Sequence, residues 1–157
     1  MTTPVLRANT ELVAVAWVGG VPGLTPEMVG TRRPSDNSTW AASGFVTVRP
    51  AGGGAIDVDT PFRHPVVTCE FWAVRPGSNR PPKARASLLG ETVWAAVTPT
   101  STAERAAIRR PVTLPGGYPD AFVHSVHPVS ELRPAYGEQG GYAHYLLDLQ
   151  FHWAELP

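Results

Sequence analysis

The most regular stretch of the chain lies near its end. Tyr145, Leu147, Leu149, Phe151 and Trp153 alternate with His144, Asp148, Gln150 and His152, and Leu146 is the single lapse. A period of two sends successive side chains to opposite faces, so this segment predicts a strand of an antiparallel sheet with one buried face. Residues 66–74 repeat the pattern. Val67, Cys69, Phe71 and Ala73 share one face, while Thr68, Glu70 and Trp72 share the other with Val66 and Val74. Residues 44–49 predict a further strand, Val46 and Val48 opposing Thr47 and Arg49. Shorter strands are expected over 56–59 and 121–127.

Helices announce themselves by spacings of three and four. Thr3-Pro4 offers a hydroxyl cap followed by proline at the first helical position. From there Val5, Leu6, Leu12, Val13, Ala16 and Trp17 recur at helical spacing, with Asn9 interrupting the stripe. Gly19-Gly20 is expected to close this helix through a left-handed turn. Thr25-Pro26-Glu27 opens about one helical turn, which Gly30 stops. The second main helix is predicted over 82–97, with Ala86, Leu89, Val93, Ala96 and Val97 as its apolar stripe. It ends before Pro99, and at 1.5 Å per residue it is roughly 24 Å long. A short helical fragment is expected over 102–109. Loops are expected at 31–39, 50–55, 76–80 and 134–141, with a turn at Pro115-Gly116-Gly117. Helices separated by runs of strands predict an α+β fold, one domain over 1–157, with the helices on one face of an antiparallel sheet.

Composition adjusts this picture in two ways. The chain of 157 residues is 43% hydrophobic, enough for a real core, and its 15 Gly and 17 Pro fit long, turn-rich loops. Charged residues are only 17%, below the usual level of about 25%, and thirteen cations balance thirteen anions. A neutral, charge-poor surface tends to associate, and it argues against an autonomous nucleic-acid binder. Lys83 is the only lysine, the other cations being arginine, a bias that a GC-rich genome also produces. The N-terminal stretch lacks the basic region of a secretory signal. Arg7, Asn9 and Glu11 interrupt its apolar run, so no bilayer span is expected there, and folding in a cytoplasm is.

Little in the chain suggests catalysis. The one cysteine, Cys69, excludes an internal disulfide framework and a multi-cysteine zinc site. Its place on an apolar strand face marks a small buried hydrophobe rather than a nucleophile. On a strand the odd spacing of His124 and His127 points them to opposite faces. His144 and His152 share a face but lie roughly 26 Å apart. No metal site is therefore expected. There is no GxSxG and no phosphate-binding GxxxxGK[ST], and the glycines at 52–54 precede no helix. Glu70 is an acid without a nameable partner. The expectation is a non-enzyme with no catalytic residues, no cofactor and no metal.

What remains is a set of arginines and tryptophans. Arg32, Arg33, Arg75, Arg80, Arg109 and Arg110 all flank loops or element ends. Trp40 and Trp72 fall in a loop and on the non-stripe face of a strand, as Trp94 does on its helix. Arg and Trp are enriched at interface hot spots, so these eight residues, Trp94 aside, are the candidate interface or lumen positions. The plainer reading is solvated loop cations and secondary core contacts.

With the elements in order, the chain resembles the tail terminators of long, non-contractile-tailed phages with actinobacterial hosts. The resemblance runs along nearly the whole chain. It rests on the opening TTPVLRANTELVAVAWVGGVPG, on STWAASGFVTV, on HPVVTCEFWAVRPGSNRPPKARASLLGETVWAAV and on the ending YAHYLLDLQFHWAEL. It implies an antiparallel or mixed sheet with helices packed on it. It also implies a virion protein that forms a ring, hexameric in that family, at the head-proximal end of the tail tube. Such a ring ends tube polymerisation and docks the neck, with DNA passing through its lumen without sequence-specific binding. The implied partners are further copies of the chain, the tail tube protein and a neck or head-completion protein, with no membrane. Another head–tail connector or head-closure protein is the alternative.

Overall fold

The computed structural model describes residues 2–52, 56, 58–136 and 140–157. In chain order its elements are α1 (Thr10–Gly19), β1 (Val29–Gly30), β2 (Phe45–Gly52), β3 (Phe62–Arg63), β4 (Val66–Val74), α2 (Lys83–Val97), α3 (Thr102–Ile108), β5 (Arg110–Val112), β6 (Ala121–Pro128), β7 (Arg133–Pro134) and β8 (Tyr142–Glu155). The sheet runs β1-β2-β4-β8-β6-β5, with β3 and β7 also paired to β8. Every pair is antiparallel except β1 with β2. The fold is α+β, as the element order predicts, and the one parallel pair makes the sheet mixed rather than purely antiparallel. No helix among the described residues is long and apolar enough to cross a membrane.

β8 is the centre of the sheet, and its alternation explains why. Leu147, Leu149 and Phe151 are fully buried and Trp153 nearly so. They meet Val67, Cys69 and Phe71 from β4, Val46 and Val48 from β2, and Val123 and Val126 from β6. All three helices close this face. α1 supplies Val13, Trp17 and Val18, α2 supplies Leu89, Val93 and Val97, and α3 supplies Ile108. Trp17 is the keystone of the layer. Its ring meets Phe151 edge-on at 5.7 Å, and its Nε1 donates to the Ile108 carbonyl at 3.0 Å.

α1 starts later than its sequence signal. Thr3-Pro4 opens no helix, and residues 2–8 run outside any element. Asn9, which interrupts the stripe, is itself the N-cap, its Oδ1 accepting the Leu12 amide at 3.0 Å. Glu155 holds the preceding segment by accepting the Ala8 amide and pairing with Arg7. Two cap signals compete here, and the one that wins also brings Trp17 to Phe151. Asn9→Ala is expected to cost about 1 kcal/mol, the usual loss for a cap, whereas Pro4→Ala leaves stability unchanged; urea midpoints distinguish the two. At the other end Gly20 caps the helix at φ −92°, so the left-handed turn expected there is absent, and the positive φ of that loop falls to Gly23.

Three smaller expectations also shift. Among the described residues of 56–59 there is no strand, and the short strand comes later as β3. β2 continues through Pro50 to Gly52, so only the rest of the expected tip at 50–55, positions 53–55, lies outside the described residues. The same holds for positions 137–139 of the loop expected at 134–141, where β7 claims Pro134.

Candidate interaction surface

The second face of the sheet carries the polar half of each alternation, and none of the three α-helices packs on it. Its positions form rows across the strands. Thr47 stands beside Glu70 and Leu146, Arg49 beside Thr68 and Asp148, and Val66 beside Gln150, which pairs with His127.

At one end the loop between β1 and β2 folds over this face. Trp40, Phe45, Trp72 and Val74 form a second buried cluster, joined by Tyr142. The Trp40 Nε1 donates to the Pro34 carbonyl at 3.2 Å. Arg33 lies 3.7 Å over the Trp72 ring and 5.1 Å from Tyr142. Below it, Trp72 stacks on His144 at 3.7 Å with 10° between the planes. A part-buried cation–π contact of this kind contributes about 1 kcal/mol. Trp40 and Trp72 are only 4% and 5% exposed, so as single residues they are secondary core contacts rather than exposed interface positions. The loop itself provides the cover, which no local periodicity announces. Trp94 is half-buried against the main core.

Glu70 is the polar hub of the next rows. Its carboxylate pairs with Arg49 Nε at 2.8 Å and His144 Nε2 at 3.3 Å. It also accepts from Thr47 Oγ1 at 3.4 Å, and that hydroxyl accepts the Trp72 indole N–H at 3.0 Å. The acid without a nameable partner thus has three, all brought to it by sheet register. Asp148 joins Thr68 at 2.7 Å and Arg133 at 3.1 Å.

The remaining candidate arginines divide between the two ends of the sheet. Arg32, Arg75 and Arg80 extend exposed from loops at the end where β4 stops and β8 begins. Arg109 and Arg110 sit at the other end, where β5 starts. Arg109 is exposed and C-caps α3. Arg110 is half-buried; its guanidinium donates to the Trp17 and Ala107 carbonyls and lies 4.6 Å from the Trp17 ring. Desolvation lowers its pKa. Arg33 and Arg110 are thus occupied within the chain, whereas Arg32, Arg75, Arg80 and Arg109 face solvent. β8 is 14 residues long, roughly 43 Å at strand rise, so one partner surface touching both groups must run the length of the sheet.

Neither a protein-family model nor a curated protein matches the chain.

Two chemical readings are settled by surroundings. Burial, with Asp148 and Glu70 adding repulsion, pushes the Cys69 thiol up to about 12, so at neutral pH it is not a thiolate nucleophile. His124 and His127 do not point to opposite faces. A bulge in β6 between Val123 and Ser125 shifts the register by one, so Val123 and Val126 both enter the core while His124 and His127 both reach the second face, near His152. A bulge of this kind inserts an unpaired residue, and the sequence offers no signal for it. Among the described residues, no three His, Cys, Asp or Glu side chains converge to hold a metal.

Proposed function

We propose that this protein is a structural virion component of the tail-terminator kind. It assembles with further copies of itself into a ring at the head-proximal end of the tail tube, where it stops tube growth and receives the neck. The observation that carries this reading beyond the resemblance is a set of large apolar side chains held out on segments outside the elements. Val5 is 80% exposed, Val58 90% and Tyr136 88%. A closed ring needs two different patches meeting head to tail, and Val5, Val58 and Tyr136 stand on three separate segments available to such contacts. The low charge agrees with a surface that neighbours cover.

In this reading Arg32, Arg75, Arg80 and Arg109 are, of the candidate positions, those that meet a neighbour or DNA, while Arg33, Trp40, Trp72 and Arg110 shape the surface from within. The protein carries no chemistry of its own, and DNA passes the ring without base-specific contacts.

Electron microscopy of lysates from a phage lacking the gene tests this. Overlong tails without heads are expected. Tails of normal length beside DNA-filled heads would instead move the protein to the neck or head-closure step. Normal infectious particles would overturn both virion roles.

A further inference from the structure

Four of the five histidines gather on the second face of the sheet, where β3, β6 and β8 meet. His64 Nδ1 lies 2.6 Å from His152 Nδ1, and the rings are 4.6 Å apart. His127 stacks against His152 at 5.5 Å. His124 sits between Phe62, at 5.1 Å, and Phe122, at 4.8 Å. These contacts, with the bonds from Gln150 Nε2 to the His64 carbonyl and from the Phe151 amide to the Pro65 carbonyl, tie β3 and the His64-Pro65 link to β8. β3 itself adds only the pairs of Phe62 with Ala154 and Arg63 with Trp153.

The close nitrogen pair fixes a protonation requirement. One Nδ1 must carry the proton and the other must offer its lone pair, because two imidazolium rings present only donors. Among the described residues, the contacts of the cluster run to imidazole and phenyl rings, and none runs to a carboxylate. On β3 the Arg63 cation turns to the other side of the strand, 5.9 Å over the Trp153 ring, while β6 adds His124, His127 and the neutral Ser125, and β8 adds Gln150. β4 contributes Val66 and Thr68. The carboxylate on this face of β8, Asp148, stands four residues from His152, roughly 13 Å along the strand, and is held by Thr68 and Arg133. Glu155 engages Arg7 and the Ala8 amide.

We propose that this histidine cluster is an acid-sensitive latch, which holds β3 and the His64-Pro65 link against β8 at neutral pH and releases them as the solution acidifies. The electrostatics agree in direction. Burial first, then His64, His127 and His124, hold the His152 imidazole below its ordinary value of 6.5. The docked form therefore binds fewer protons than the released form between that depressed value and 6.5. The latch is at full strength above about 6.5 and weakens as pH falls through the depressed value.

Hydrogen–deuterium exchange on the intact protein tests this, with rates corrected for the intrinsic effect of pH. Peptides covering 60–66 are compared with 67–74, the body of β4, at pH 7.5 and pH 5.0. Opening of 60–66 is expected to rise about tenfold in acid while 67–74 stays unchanged. His152→Gln and His64→Asn are each expected to flatten that rise. Equal rises in wild type and variants, or both peptides opening together, would overturn the latch. So would zinc protecting 60–66 at neutral pH in wild type alone, since the pair would then be a chelate. Should a variant fail to fold, imidazole titration of the wild type by NMR decides. His152 titrating below 6.5 and coupled to His64 supports the latch, and four independent titrations near 6.5 overturn it.

Discussion

Trp17→Ala lowers the melting temperature by about 10 °C. Removing a fully buried tryptophan costs about 3–5 kcal/mol, and for a chain of this size each kcal/mol moves the midpoint by about 2–4 °C. Three observations place Trp17 at that end of the range. It is fully buried, it packs edge-on against Phe151 of the central strand, and it supports the half-buried Arg110 from below. Trp94→Ala, on a half-buried ring, serves as the comparison and is expected to shift the midpoint less than half as far. Calorimetry of both variants checks the pair. A Trp17→Ala shift no larger than that of Trp94→Ala would mean that α1 does not anchor the helical layer.

Gly44→Val is the second large effect, for a different reason. Gly44 has φ +78°, and a Cβ there would stand 2.4 Å from Leu89 Cδ1 and 2.9 Å from the Trp72 carbonyl oxygen. Leu89 can yield, but the Trp72 carbonyl belongs to the β2–β4 ladder. A left-handed backbone costs about 1–2 kcal/mol for a residue with a Cβ, more for a branched one, and overpacking adds about 1–3 kcal/mol. A loss of about 3–4 kcal/mol is expected in urea denaturation. The damage should centre on the loop that covers Trp72, so the near-ultraviolet circular dichroism of the tryptophans should fall as well. Gly52→Ala is the control. Its φ is equally positive, at +82°, but a Cβ there would meet nothing within 4 Å, so only the backbone cost of about 1 kcal/mol remains.

How much of this was legible in the sequence depends on how local each feature is. The faces of β4 and β8 follow from the alternation of their own side chains, and the stripe of α2 from its own spacing. The start of α1 is ambiguous in the sequence because Thr3-Pro4 and Asn9 both satisfy cap chemistry, and the choice is made by Trp17 reaching Phe151. The parallel pairing of β1 with β2 rests on two residues brought together by a loop. The partners of Glu70 and the cover over Trp40 and Trp72 depend on register between distant strands. The histidine cluster was hidden twice. Its members come from three segments, and the bulge that aligns His124 with His127 breaks the period from which their directions were inferred.

The central place of β8 also has a consequence in time. β2 and β4 can pair as soon as both are made, but the apolar face they share waits for β8, which follows α2, α3, β5 and β6 in the chain. At a synthesis rate of roughly 5–20 residues per second, Val67, Cys69 and Phe71 stand beside an open strand edge for several seconds on every nascent chain. Loops that long must close before the central pairing rewards them, which makes the final step slow. Yield of this protein in a cell is then set by how well that unfinished edge is kept from other chains, and holding chaperones or slower growth at lower temperature should raise it more than any gain in the stability of the finished fold.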